Sequence, residues 1–216
     1  YYFGSVRTLG GVPIITEPLD DKYDGGENAG LYIPRSTEKE TWDFVLSELQ
    51  AAADMLPKTR TDGTYRANKW AALALKSRAA LFEGTFRKYH AGTEYVPQDE
   101  QTFDGITVSS KWFLEQAAEA ASKVMGKHSL YTGNTLGLAT KATKASYREY
   151  FILEDAEDSE TILSRRYSVA LLIRHGIQFN MKNGRHSATA RFVNHYLQAD
   201  GTPIQNRAGW QTLSYR

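Results

Sequence analysis

Apolar residues recur at helical spacing along the first 127 positions and lose that period afterwards. Tyr2, Phe3, Val6 and Leu9 mark the first helical stretch, which Gly10-Gly11-Val12-Pro13 breaks. A surface loop rich in Gly, Asp and Pro is expected from there to about Arg35. Thr37 followed three residues later by Glu40 has capping-box spacing, in which each side chain satisfies a free backbone amide of the other. Trp42, Val45, Leu46, Leu49, Ala52, Ala53 and Leu56 then share one helical face, ended by Pro57.

Asn68 can cap a third helix, from about Lys69 to Lys88, that is apolar on two flanks. Trp70, Leu73, Ala74, Ala80 and Leu81 form one flank, and Leu75, Ala79, Phe82 and Phe86 the other, which predicts a helix sandwiched between neighbours. Residues 89–109 are polar and read as a long connector with Gly92, Pro97 and Gly105. A fourth helix is predicted over Lys111–Lys127, with Phe113, Leu114, Ala117, Ala118, Ala121, Val124 and Met125 and alanines small enough for close helix contact.

From about Thr132 the pattern weakens. Residues 132–146 are rich in Gly, Thr and Lys, Tyr147–Leu153 is a short aromatic segment, and Glu154–Glu160 is acidic. Thr161–Ser168 is expected as a short strand, 174–188 as a basic loop, and Arg191–Leu197 as a short helix or strand before the turn Ala199-Asp200-Gly201-Thr202-Pro203. The expected fold is mostly α, with a helical scaffold portion at 1–131 and an irregular, loop-rich portion at 132–216.

Composition narrows the function classes. The 216 residues carry 26 Lys+Arg against 25 Asp+Glu, a formal charge of +1, so no basic face argues for nucleic acid or an anionic membrane surface. The absence of cysteine excludes disulfides, thiolate zinc sites and cysteine nucleophiles from this chain. The longest apolar runs, Val169–Ile173 and Trp70–Leu75, fall far short of the roughly 20 residues of a membrane-spanning helix. The opening reads as the middle of a helix and the closing residues stop soon after a turn, so the chain is expected to be a piece of a longer protein, incomplete at both ends. Any address signal would then lie outside it.

The tetratricopeptide pattern has W-x₂-L-G-x₂-Y in a first helix and A-x₃-F with a later Pro in a second. Trp70, Leu73, Ala74 and Ser77 sit at the first-helix offsets, with Ala74 in the small slot and Ser77 in place of the tyrosine. Val45-x₃-Leu49 with Pro57 matches one second helix, and Ala117-x₃-Ala121 is a poorer match to another. The 89–109 connector is longer than a repeat turn, so degenerate repeats and an ordinary helical bundle both remain open.

Four segments together resemble the SusD/RagB family of Bacteroidetes outer-membrane nutrient-binding lipoproteins. They are the aromatic helix end running into Leu9-Gly10-Gly11-Val12-Pro13-Ile14-Ile15; Pro34-Arg35-Ser36-Thr37-Glu38 with the closing Met55-Leu56-Pro57; the helix Asn68–Phe82 followed by Gly84-Thr85; and Asn194–Ile204. The resemblance implies tetratricopeptide-like helix pairs carrying a loop-rich part that binds glycan at the cell surface. It implies no catalysis and no cofactor. It also implies that captured oligosaccharide or peptide passes to a SusC-like TonB-dependent transporter, and that a lipid-bearing cysteine outside this chain anchors the protein in the outer membrane.

Neutral sugars are held by aromatic platforms together with planar amides, carboxylates or guanidinium groups that bond the hydroxyls. Trp42, Trp70 and Trp112 lie at or near apolar helical positions and read as core. Trp210 lies in a polar loop and reads either as a ligand platform or as the anchor of a satellite core. Tyr167 beside Arg166, and Asn180, Arg185 and His186 in the 174–188 loop, are the other candidate ligand contacts, with a solvated basic face as the bland alternative. The acidic residues Glu154, Asp155, Glu157, Asp158 and Glu160 are contiguous, unlike the separated carboxylates of a glycosidase. Asp20-x-Lys22-x-Asp24-Gly25 fails as a calcium loop, and the five histidines have no ligand spacing. Two functions follow: capture of glycan without catalysis, or a tetratricopeptide-like scaffold that binds a peptide or protein.

Overall fold

A computed structural model describes residues 1–19, 33–59, 63–103, 106–133, 146–153, 160–168, 170, 172–173, 175–184 and 187–210. The chain divides into two compact units, Tyr1–Arg165 and Arg166–Arg216. The first contains helices α1 (Tyr2–Leu9), α2 (Glu38–Met55), α3 (Lys69–His90), α4 (Ser110–Val124) and α5 (Ser146–Tyr150), with strands β1 (Gln101–Phe103) and β2 (Ile106–Val108) between α3 and α4. The second contains the short helices α6 (Ile177–Lys182) and α7 (Ala190–Val193). The fold is mostly α.

Local chemistry sets the helix starts. Thr37 and Glu40 form the reciprocal capping box on α2. The side chains of Asn68 and Ser109 accept from the backbone N–H groups of Ala71 and Trp112, which start α3 and α4. Gly10 ends α1 with a positive φ of 71°, a conformation that costs glycine little.

Packing then joins the pieces. Helix α3 contacts both α2 and α4, as its two apolar flanks predict. Trp42, 1% exposed, is surrounded by Phe3 of α1, Phe82 of α3 and Phe113 of α4, at centroid distances of 5.9, 6.2 and 6.5 Å. Val6, Val45, Leu46, Ala79, Ala80, Val108 and Ala117 complete this core. A smaller cluster of Ala53, Ala72 and Leu73 receives the half-buried Trp70 and Val124. Close approach of α3 and α4 occurs where Ser77 Oγ donates to the carbonyl of Ala117 at 2.8 Å. Nearby, a β-carbon on Gly84 would stand 2.9 Å from Leu114 Cγ. Ser77, which replaces a tyrosine in the repeat pattern, thus serves as a short interhelical link.

Several expectations change. Residues 89–109 are more than a connector: β1 and β2 form an antiparallel hairpin, with Gln101 opposite Val108. Val96 and Val108 are buried. Three-residue strands are too short to display alternation, so the hairpin left no periodic trace. Leu9, Leu75, Leu81 and Met125 are exposed despite helical spacing, while Ala120 is buried, because the partners cover narrower stripes than the apolar pattern. Thr161–Ser168 forms no strand; Ser168 makes only an isolated bridge to Ile173. The 174–188 stretch contains α6, a helix too short for its period to register. Arg191–Leu197 resolves as helix α7 followed by an isolated bridge from Leu197 to Pro203. The expected turn forms as read, with Asp200 Oδ1 accepting from both the backbone and the hydroxyl of Thr202.

The crossing of the post-α1 segment over the start of α2 depends on one glycine. Ser36 N–H donates to Val12 O at 3.3 Å, Val12 N–H donates to Thr41 Oγ1, and the Arg35 guanidinium donates to the carbonyls of Leu9 and Gly11. A β-carbon on Gly11 would overlap the carbonyl oxygen of Ser36. Gly11→Ala is therefore expected to lower stability by about 2 kcal/mol or more, because backbone rather than a flexible side chain must move. A melting temperature equal to that of the parent protein would refute this reading of the crossing.

Candidate functional site

The residues singled out from sequence lie in the second unit where they are described. Trp210 is half-buried, and its indole N–H donates to Asn194 Oδ1 at 3.0 Å. Arg166 and Tyr167 are exposed, and the Tyr167 ring meets the His175 ring edge-on at 4.7 Å. Asn180 lies on α6, where its backbone N–H donates to Gly176 O at 2.9 Å. The described contacts therefore group Trp210 with Asn194 and Tyr167 with His175. Arg185 and His186 lie outside the described residues, as do Asp20–Asp24 of the failed calcium loop and Glu154, Asp155, Glu157 and Asp158 of the acidic run. Glu160 is engaged elsewhere: its Oε2 accepts from the backbone N–H of Tyr131 at 2.7 Å.

Among the described residues of the first unit, two adjoining clefts lie beside α3. One, of about 540 Å³, lies between the end of α1, the start of α2 and the last turns of α3; Arg7, Glu38, Phe82, Phe86, His90 and Tyr95 are among its walls. Along α3, Phe82 and Phe86 are nearly parallel at 6.3 Å, Phe86 and His90 lie 4.4 Å apart, and His90 meets Tyr95 at 5.7 Å and 77°. The i, i+4 spacing of Phe82, Phe86 and His90 places their rings on one face. The guanidinium of Arg7 lies 6.0 Å from the Phe82 ring centre.

The second cleft, about 420 Å³, shares Glu38 and Tyr95 with the first and adds Glu83, Arg87, Gln101 and Thr102. Glu83, 1% exposed, accepts from Arg87 Nε at 2.7 Å through Oε1, while its Oε2 has no protein partner. Arg87 also donates to the carbonyl of Asp99 at 3.1 Å and to Gln101 Oε1 at 3.4 Å, tying α3 to the hairpin. Burial pushes the Glu83 carboxyl up to about 7, although Arg87 pulls the other way.

Phe82 and Phe86 were legible only as helix residues, and His90, expected in the connector, lies in the last turn of α3. Their convergence with Arg7, Glu38 and Tyr95 depends on contacts between distant parts of the chain. The one local clue is the unbroken i, i+4 run of rings.

Comparison with known proteins agrees with the helical architecture. A family model described as SusD-like, starch-binding associating with outer membrane, matches residues 1–81. A crystal structure of a SusD-like protein from Bacteroides fragilis NCTC 9343 matches with a TM-score of 0.50 at 25% identity, over 77% of this chain and 25% of that one. The chain is thus similar to SusD-like proteins, by the family model over its first 81 residues and by structure over 77% of its length. No curated protein matches it. The chain spans about a quarter of the length of the solved structure it matches. The family description is one of binding, and it places the family at the outer membrane.

The raised Glu83 pKa fixes the sign of a pH effect. Between its ordinary value of 4.5 and about 7, the folded protein holds a proton that the unfolded chain has released. The stability from this group is therefore present below pH 4.5 and lost as pH rises through 7. Glu83→Gln is expected to flatten melting temperature against pH between about 5 and 7.5, relative to the parent. Parallel curves would show that Glu83 is already ionised throughout that range.

Proposed function

We propose that this chain is part of a non-enzymatic glycan-binding protein at the cell surface. The observation that carries the reading is the match of a starch-binding family model to residues 1–81, which include Arg7 and Glu38 of the aromatic cleft. Near-neutral charge suits an uncharged ligand, and the aromatic and planar polar side chains suit sugar faces and hydroxyls. On this reading the protein is lipid-anchored in the outer membrane through a cysteine outside this chain, and a SusC-like TonB-dependent transporter receives the captured oligosaccharide.

The 132–216 portion supplies ligand contacts in this reading. Trp210 is the stacking platform, with Tyr167, Arg166, Asn180, Arg185 and His186 as accompanying contacts. Support for Trp210 comes from its partial exposure and from Asn194, which fixes the indole edge while leaving the ring faces uncommitted by that bond.

Isothermal titration of the full-length protein against a panel of polysaccharides and peptides tests this function. Binding of at least one polysaccharide is expected, and Trp210→Ala should weaken it about tenfold with little change in melting temperature. A flat response to every polysaccharide would overturn the reading, and binding of peptides alone would favour the scaffold alternative. Unchanged glycan affinity in Trp210→Ala would move Trp210 to a structural role.

A further inference from the structure

The two clefts of the first unit share Glu38 and Tyr95, so they form one groove with an aromatic end and a polar end. The aromatic end is a corner: His90 and Tyr95 present their rings nearly at right angles, with Phe86 against His90. Tyr95 is 64% exposed and available to a ligand. Such a corner suits a compact ring that offers an apolar face to one wall and C–H edges to the other, the shape of a pyranose.

Charge in the groove is mixed. Arg7 offers donors and Glu38 offers an acceptor at the aromatic end, while Gln101 and Thr102 offer both at the other. The Arg87 guanidinium is committed to Glu83, Asp99 and Gln101, so it is not available as an anion clamp. Lys39 and Arg87 line the polar end together with Glu38 and Glu83, so basic and acidic side chains balance there. An ionic ligand would meet no excess of opposite charge, whereas hydroxyls can donate to Glu38 and accept from Arg7. The volume of about 540 Å³ lies within the roughly 300–1,000 Å³ common for ligand pockets.

We propose that this groove is a saccharide subsite for a neutral sugar unit, built from residues other than those around Trp210, with Tyr95 as its stacking face and Arg7 and Glu38 as its hydroxyl partners. It rests on the glycan-binding reading above. Its consequence is that the protein holds glycan at more than one contact, so that loss of any one weakens binding without abolishing it.

The test uses the full-length protein, with maltoheptaose, cellohexaose and mannohexaose as neutral probes and tetragalacturonate as the anionic one. At least one neutral probe should bind. Tyr95→Ala should weaken it about tenfold with unchanged melting temperature, Tyr95→Phe should restore most of the affinity, and Arg7→Gln should weaken it severalfold. Parent-like affinity in Tyr95→Ala, with a probe that the parent binds, would overturn the subsite and leave the glycan reading intact. Preference for tetragalacturonate would overturn the neutral assignment. Failure of the parent to bind any probe or polysaccharide would remove the glycan reading and this proposal with it.

Discussion

The first unit is organised by the burial of a single indole. Trp42 projects from the second turn of α2 into a space that α2 cannot close alone, and rings from α1, α3 and α4 close it. Burying so large a side chain removes a large apolar surface from water, and its three ring contacts hold three further helices against α2. The same residue reaches toward the groove: its indole N–H donates to Glu38 Oε1 at 3.4 Å, and its face stacks on Phe82. The core and the walls of the candidate subsite are therefore one packing arrangement.

Glu83 and Arg87 add a polar constraint beside that core. A buried ion pair offsets its desolvation only when further hydrogen bonds satisfy it, and Arg87 finds them on the hairpin side. The guanidinium also lies 5.4 Å from the Phe113 ring, adding a favourable contact on α4. Glu83 is less well supplied, since one of its oxygens has no protein partner, and the physical result is a carboxyl that gains its proton near neutrality.

The second unit is held differently. Among its described residues none is fully buried, and Ile177, Phe179, Met181, Phe192 and Leu197 are all exposed. Its described order comes from local bonds: the Thr189 cap on α7, the Asp200–Thr202 turn, the Leu197–Pro203 bridge, and Trp210 on Asn194. Trp210 itself is half-buried, held by its indole N–H on Asn194 rather than by enclosure in a core.

The boundary between what was legible and what was not follows the range of the interactions. Caps at Thr37 and Asn68, the stop at Pro57, the two-sided α3 and the turn at Asp200–Gly201 are set by residues within four positions of one another, so the local order of residues is enough to specify them. The hairpin was illegible because three-residue strands carry no period, and Ala120 because its burial depends on the neighbouring helix. The groove belongs wholly to the tertiary structure. Arg7, Glu38, Phe86 and Tyr95 come from separate segments, and only the crossing over Gly11 and the packing around Trp42 bring them together. Helix periodicity tells which face is apolar; it does not tell which faces meet, and the groove is made at that meeting.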